Sequence, residues 1–169
     1  MVKQPSPEGQ VSLSIDTRCL GARSVGPAAA PTTRPDPFTG SPWRKISDAE
    51  WKKRLTPAAF DVLRHEGTEA PGSSPLNDEH RRGLLVCAGC GLPLFKSDWK
   101  FDSGTGWPSF FDVFHENIAI KPDTPLDCER AEYHCARCLG HQGHIFHDGP
   151  KPTGLRYCND GGALRFLPA

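Results

Sequence analysis

The stretch GLLVCAGC, residues 83–90, ends in two cysteines separated by two residues, and EYHCARC, residues 132–138, repeats that spacing. Zn²⁺ prefers tetrahedral thiolate ligands, and a C-x-x-C turn brings two sulfur atoms to one ion. Two disulfides and a redox-active C-x-x-C are the alternatives, but two matched pairs favour one structural metal site. We therefore predict one structural Zn²⁺ per chain, bound by four cysteines: Cys87, Cys90, Cys135 and Cys138.

The segments around both cysteine pairs indicate a β domain. They are short, rich in leucine, β-branched and aromatic residues, and separated by glycine, proline and aspartate; examples are HIFHDG, GLRYC and GALRFLPA. This composition predicts antiparallel strands joined by tight turns. Because the two cysteine pairs are too far apart in sequence for a compact zinc finger, the ion would clamp two distant hairpins of one domain.

Two short helices are predicted before the first strand. SDAEWKKRL (47–55) starts with a serine that has a glutamate three positions later, which is a capping-box pattern. TPAAFDVLRHEG (56–67) offers threonine as N-cap, proline at the first helical position and glycine as terminator. We expect the helices to cover the core with their apolar side chains: Trp51, Leu55, Phe60 and Leu63.

The composition of the chain changes near residue 42. Residues 1–42 contain seven of the 17 prolines and one aromatic residue, Phe38. Too little apolar surface is present there to offset the conformational entropy of the chain. We expect a disordered N-terminal arm over residues 1–42 and one domain over 43–169. A transit peptide is the alternative, although the acidic residues of the arm disfavour it.

The charge balance and hydropathy bear on partners and location. The 20 lysine and arginine residues balance 20 aspartate and glutamate residues, so no global field favours nucleic acid or acidic membranes. No apolar run approaches the ~20 residues that span a bilayer, and the N-terminus lacks the apolar core of a secretory signal. We expect a cytoplasmic monomer without nucleic-acid or membrane partners, or an organellar protein if the arm is a transit peptide.

Cys158 is the cysteine that stands alone among the predicted strands. HQGHIFHDG (141–149) places His141 and His144 shortly before it, and Arg156 would share its strand face. A thiol that follows paired histidines suggests a nucleophile activated by an imidazole, and the arginine would lower the thiol pKa. The histidines could instead bond only to the backbone. A role as extra zinc ligands is disfavoured, because four cysteines already complete that site.

Trp107 lies in KFDSGTGWPSFF (100–111), between a glycine and a proline. These neighbours shape the backbone, and we expect the indole to point outwards as an apolar wall for a small ligand. A core position is the alternative, which we favour for Trp51 and leave open for Trp99.

Taken together, CAGC, CARC, FDSGTGWPSF, HQGHIFHDGPKPTGLRYC and ALRF resemble the methionine-R-sulfoxide reductases, the B-type methionine sulfoxide reductases, from about residue 43 to the C-terminus. The resemblance implies a mainly β, tent-like fold of two antiparallel sheets with short N-terminal helices, and a zinc site far from the active site. It implies that Cys158 is the nucleophile, that Trp107 holds the substrate methyl group, and that His141 and His144 line the site. We expect three further residues to complete the substrate site: Phe146, Arg156 and Asp160.

The implied reaction is reduction of methionine-R-sulfoxide, free or in proteins, as a repair of oxidised methionine. Cys158 attacks the sulfoxide sulfur while a histidine protonates the departing oxygen, which leaves methionine and a Cys158 sulfenic acid. A second thiol then forms a disulfide that thioredoxin-type donors reduce. Two other classes stay open: a zinc-stabilised binding module, which would not need Cys158, and a Cys–His hydrolase or acyl-transfer enzyme, which would pair Cys158 with His144.

Three positions depart from the pattern of the resembling family. Asp160 stands in place of an asparagine, Gln142 in place of a common leucine, and Thr105 where many members carry the resolving cysteine. The remaining candidates for a resolving thiol are Cys19, Cys128 or an outside reductant. We favour Cys19, because lengthening a flexible loop costs only ~0.6 kcal/mol per doubling.

Overall fold

Two antiparallel β-sheets carry the fold in the computed structural model, which describes residues 36–121 and 130–169. The smaller sheet has three strands, with β1 (Gly83–Cys87) between β2 (Pro93–Lys96) and β9 (Leu164–Pro168). All pairings in it are antiparallel, and β1 carries the first zinc-knuckle cysteine at its end.

The larger sheet has six strands and contains most of the chemically active residues predicted above. In chain order its strands are β3 (Lys100–Phe101), β4 (Ser109–Phe110), β5 (Ile118–Lys121), β6 (Arg130–Cys135), β7 (His141–Phe146) and β8 (Arg156–Asn159), and across the sheet they lie β3-β4-β8-β7-β6-β5. Neighbouring strands are antiparallel. The predicted fold class is confirmed: mainly β, two antiparallel sheets and short N-terminal helices.

The two helices form where their capping residues predict. Helix α1 (Asp48–Arg54) begins after Ser47, whose hydroxyl accepts from the Glu50 N–H. Helix α2 (Pro57–His65) begins after a threonine that caps it in the same way. It ends one residue earlier than expected, because Glu66 already adopts the left-handed conformation that terminates a helix.

The core lies between the helices and the two sheets. Phe95 on β2 and Phe110 on β4 are fully buried and stack with ring centroids 4.0 Å apart, which joins one sheet to the other. Trp51 of α1 and Leu63 of α2 are also buried and lie against the cysteine knuckles: a Cβ on Gly89 would meet Trp51 at 3.4 Å, and one on Gly140 would approach Leu63 to 2.9 Å. The predicted packing of the helices on the β core is confirmed.

The described chain begins before the predicted domain boundary. Arg44 bonds to Asp36 and to the Ala136 carbonyl, each at 2.6 Å, and Phe38 lies under the guanidinium of Arg137. Residues 36–42 therefore contact the domain. The rest of the predicted arm, with Cys19, lies outside the described residues, as does Cys128. No helix in the described part of the chain is long and apolar enough to cross a membrane.

Candidate active site and metal centre

The four knuckle cysteines converge on one point. Their sulfur atoms all lie within 4.8 Å of one another, with Cys87 3.6 Å from Cys138 and Cys90 3.5 Å from Cys135. Four sulfurs about 2.3 Å from a central ion would be about 3.8 Å apart, whereas a disulfide requires about 2.05 Å. All four residues are buried. The arrangement therefore fits a tetrahedral four-thiolate metal site and not two disulfides.

The two knuckles close with the same backbone turn. The Gly91 N–H donates to the Cys87 carbonyl, and the Leu139 N–H donates to the Cys135 carbonyl, each at 2.8 Å. Both donor residues have positive φ, 74° and 60° respectively. The first turn has the glycine that such a backbone favours, but the second places a leucine there. The two turns thus have the same backbone conformation, although their sequences share only the C-x-x-C spacing.

Strand register places Cys158 between a histidine and a serine. On β8, Cys158 pairs with His144 of β7 on one side and with Ser109 of β4 on the other. Directly opposed residues of antiparallel strands have Cβ atoms about 4.5–5.5 Å apart. The thiol is half-buried, and the hydroxyls of Thr105 and Ser109 lower its pKa, while the Ser109 hydroxyl also donates to the Trp107 carbonyl at 3.1 Å. Ser103 bridges these two hydroxyls, at 2.8 Å from each.

The pKa of Cys158 is set by opposing influences. Burial raises it, the guanidinium of Arg156 lowers it, and the Asp160 carboxylate raises it again. The net result is a pKa above the ordinary value of 9.0. The resting thiol is therefore largely protonated at neutral pH, and its reactivity depends on groups that remove the proton or stabilise the thiolate.

Arg156 is held in place by a carboxylate that sequence analysis did not single out. Its Nε and one terminal nitrogen donate to the two oxygens of Asp148 at 2.8 and 2.9 Å, and its guanidinium stacks over Phe146 at 4.1 Å. This bidentate pair lowers the pKa of Asp148. The arginine is buried and faces Cys158. The sequence shows that a carboxylate precedes β8. Only the folded turn brings that carboxylate to Arg156.

His141 is buried and bonded to a second unpredicted residue, Glu132 of β6. The His141 Nδ1 lies 2.8 Å from Glu132 Oε1, and Lys121 Nζ lies 3.3 Å from Glu132 Oε2. Burial lowers the pKa of His141 more than the carboxylate raises it, which keeps the imidazole neutral near pH 7. Its ring contacts the ring of His144 with centroids 5.7 Å apart. Glu132 lies opposite His144 in the β6–β7 register, which no local motif reveals.

Trp107 is half-buried and its orientation depends on Glu69, the third residue that sequence analysis missed. The indole N–H donates to the Glu69 carbonyl at 3.1 Å. The Glu69 carboxylate accepts from the N–H groups of Gly161 and Gly162, and the Glu69 N–H donates to Asp160 at 3.0 Å. These partners lie far apart in sequence, so no spacing rule relates them. They form a clasp that joins the tryptophan loop to the end of β8.

A cavity of about 630 Å³ opens beside Trp107. Its wall includes Ser103, Gly106 and Asn77, and it has a charged side formed by Asp102 and Lys100. Gly106 has φ near 90°, and a Cβ there would approach Pro71 to 2.8 Å, so the tryptophan loop requires glycine at this position. Trp107 thus borders this cavity, whereas Cys158, His141 and His144 do not line it.

Comparison with known proteins gives weak structural likenesses and strong sequence matches. The Mis18 "Yippee-like" domain superposes with a TM-score of 0.40 and 15% identity, over 53% of this chain and 98% of that chain, which is too low to carry an argument. Residues 55–168 match the SelR domain family. The peptide methionine sulfoxide reductase MsrB of Methanosarcina barkeri is 50% identical over 121 residues, 71% of this chain and 85% of that protein. The MsrB of Leptospira interrogans is 46% identical over 121 residues, 71% of this chain and 92% of that protein. The chain belongs to the MsrB family.

The structure shows the surroundings of the three residues that differ from the common MsrB pattern: Thr105, Asp160 and Gln142. Thr105, whose hydroxyl lowers the pKa of Cys158, stands where many members carry a thiol. Asp160 is buried and bonded to the Glu69 N–H, and burial raises its pKa to about 6. Gln142 is fully buried beside the cysteine knuckles. The first two departures alter the surroundings of the nucleophile, and the third alters the metal centre.

Proposed function

We propose that the protein reduces methionine-R-sulfoxide, free or in proteins, to methionine, with Cys158 as the nucleophile. Family membership makes it a methionine sulfoxide reductase. The observation that supports the assignment of the nucleophile is the inventory of thiols. Of the five cysteines in the described residues, four form the buried metal cluster, and Cys158 is the one left beside a histidine, an arginine and the tryptophan loop.

The proposed chemical step transfers one oxygen atom. The Cys158 sulfur attacks the sulfoxide sulfur, and the oxygen passes to Cys158 as the S–O bond of the substrate breaks. The thiol is oxidised to a sulfenic acid, the sulfoxide is reduced to the thioether, and the thiol proton ends on the sulfenic oxygen. Arg156 and the hydroxyls of Thr105 and Ser109 would stabilise the thiolate during attack, because all three favour the charged sulfur.

We assign proton donation to His144 and a positioning role to His141. His144 stands opposite Cys158 in the β7–β8 register, so it is close to the atom that reacts. His141 is buried, bonded to Glu132 and poor at holding a proton, but its ring supports that of His144. A general acid must reach the departing oxygen, and His144 is the better placed of the two.

Substrate binding would use the aromatic and cationic surfaces around the thiol. Trp107 would offer an apolar wall for the methyl group, and the Phe146 ring lies 6.5 Å from the His144 ring and 4.1 Å from the Arg156 guanidinium. Asp160 would act through the clasp that orients Trp107. The open cavity beside Trp107 leaves room for residues that flank a methionine sulfoxide in a polypeptide. Free and protein-bound substrates are both compatible with this arrangement.

Regeneration requires a second thiol, and Thr105 does not provide one. The sulfenic acid would condense with this thiol to form a disulfide and water, and a thioredoxin-type dithiol would then reduce the disulfide. The metal cysteines are committed to their site. We propose Cys19 as the resolving residue, with direct reduction by an outside thiol as the alternative.

We also propose that the four-cysteine centre holds one Zn²⁺ with a structural role. Four buried thiolates with no open position are the ligand set of structural zinc sites. The residues of the reaction lie on other elements, so no step is assigned to the ion. Cytoplasmic location and a monomeric state stay predictions.

The proposed function is tested by incubating the purified protein with each epimer of methionine sulfoxide and dithiothreitol, and by measuring methionine formed. We expect turnover of the R epimer alone. Cys158→Ser should abolish it with circular dichroism and metal content unchanged, and His144→Ala should slow it by about 100-fold or more. His147→Ala, which removes an exposed histidine three residues further along, serves as the matched control.

Three results would reject the proposal. Near wild-type turnover by Cys158→Ser would place the nucleophile elsewhere. An acyl-enzyme trapped on Cys158, without any sulfoxide reduction, would favour the hydrolase or acyl-transfer class. A protein that retains a binding activity in Cys158→Ser and reduces neither epimer would be the binding module.

A further inference from the structure

Gln142 is a polar side chain in an apolar, fully enclosed position. It lies on β7 between His141 and Gly143 and has no exposed surface. Enclosing an amide without hydrogen-bond partners destabilises the folded state. A side chain that carries this cost calls for an interaction that offsets it.

The Gln142 amide points at the metal centre. Its Nε2 lies 3.6 Å from the sulfur of Cys87 and 3.4 Å from the Gly140 carbonyl oxygen. Its Oε1 has no hydrogen-bond partner among the described residues. The donor end of the amide is thus satisfied by a metal-ligand sulfur and one carbonyl, while the acceptor end is left unbonded. This orientation is the one expected if the sulfur carries negative charge, because a thiolate is a much better acceptor than a thiol.

The backbone of Gln142 makes the second connection. Its carbonyl accepts from the Asp160 N–H at 3.1 Å, and Asp160 belongs to the clasp that holds Trp107. At the next position, a Cβ on Gly143 would lie 2.0 Å from the Cys158 carbonyl oxygen, so β7 and β8 approach too closely there for any side chain. One residue of β7 therefore touches the metal centre with its side chain and the active-site segment with its backbone.

We propose that Gln142 is a positioning residue for the metal centre: its N–H···S hydrogen bond to Cys87 lowers the charge on that sulfur and ties the centre to the strand that carries His141 and His144. The proposal rests on the metal site proposed above and not on the reductase activity. Partners that hydrogen-bond to metal ligands orient them and typically account for 10–100-fold in metal affinity. A bonded thiolate is also less nucleophilic, so Cys87 is protected from alkylation and oxidation.

The test replaces the amide by apolar groups of similar size, in Gln142→Leu and Gln142→Met, and examines the protein loaded with Co²⁺ in place of the native ion. Loss of the hydrogen bond raises the energy of the sulfur lone pairs, so the thiolate-to-cobalt charge-transfer bands should move to longer wavelength. Transfer of Zn²⁺ from the protein to excess EDTA should become about 10-fold faster. Leucine and methionine are close to glutamine in size and suit a fully buried position, so both variants are expected to fold.

Ile145→Val is the matched control, because it alters packing on the same strand and the isoleucine side chain has no N–H to donate to a cysteine sulfur. It should leave the cobalt bands and the transfer rate unchanged. Cobalt bands that stay at the wild-type wavelength in both Gln142 variants would overturn the proposal. Faster zinc transfer without a band shift, equalled by Ile145→Val, would also overturn it, since that pattern reflects packing alone. Neither readout uses sulfoxide reduction, so failure of the reductase proposal would be seen separately.

Discussion

Replacing Asp160 by asparagine should stabilise the protein in a pH-dependent way. The Asp160 side chain is 5% exposed, and burial, with a further contribution from the Glu69 carboxylate, raises its pKa from the ordinary value of 3.8 to about 6. The folded protein thus holds this proton more tightly than the unfolded chain does. Above the folded pKa both states are ionised, and the buried charge then costs the folded state about 3 kcal/mol relative to the protonated carboxyl.

Asparagine keeps an oxygen to accept from the Glu69 N–H and carries no charge. Its variant should therefore have a higher free energy of unfolding at pH 8, by up to about 3 kcal/mol. Below the folded pKa, Asp160 in the wild type regains its proton, so about 1.4 kcal/mol of this advantage should disappear between pH 8 and pH 5. The absolute gain also depends on the partners of the new amide N–H₂. The change in the stability difference between pH 8 and pH 5 does not depend on those partners, so this change is the quantity to measure.

The assay is urea unfolding of wild type and Asp160→Asn at pH 8 and pH 5, followed by tryptophan fluorescence, with metal content checked at both pH values. Asp98→Asn, at an exposed carboxylate, is the control and should shift the free energy by no more than about 0.5 kcal/mol at either pH. In Asp160→Asn, iodoacetamide should alkylate Cys158 faster than in wild type at pH 7.5, because Asp160 raises the pKa of that thiol. A stability difference that is equal at pH 8 and pH 5 would refute the reasoning.

Two further predictions concern the other cysteines. Cys87→Ser should lose the zinc and much of the folded structure, because metal binding of this kind contributes about 10–16 kcal/mol to folding. Metal analysis that still finds one zinc per chain would reject the four-cysteine site. Cys19→Ser should turn over normally with dithiothreitol but slowly with thioredoxin, and wild type treated with one equivalent of substrate should yield a peptide that links Cys19 to Cys158. Full turnover of Cys19→Ser with thioredoxin, or a link from Cys128 instead, would exclude Cys19 as the resolving residue.

Features that depend on neighbours within one turn were predictable from the sequence. The knuckles are the clearest case, since a C-x-x-C turn sets two sulfurs side by side before the rest of the domain folds. The caps of α1 and α2 also formed at the residues that the pattern indicates, because a cap is a bond between a side chain and a backbone group two or three positions away. The mainly β class followed from the short apolar segments between turn residues.

Glu69, Glu132 and Asp148 show what could not be predicted. Trp107 bonds to a carbonyl 38 residues away, and the Glu69 N–H bonds to a carboxylate 91 residues away. Glu132 meets His141 only because β6 and β7 pair in one register out of several that the same residues allow. The chain order places these residues in unrelated segments, so no local pattern connects them.

The sequence by itself predicted a four-cysteine cluster and a lone thiol among the strands, because each depends on a few adjacent residues. The tertiary structure alone decided how they are connected. Gln142 reaches a sulfur 55 residues away, and Cys158 meets His144 and Ser109 through strand register. The pKa values of Cys158 and Asp160 follow from burial and from the charges that the fold brings near them. The physical reason is that desolvation and charge–charge interaction depend on distances in space, which the closing of the whole β domain sets.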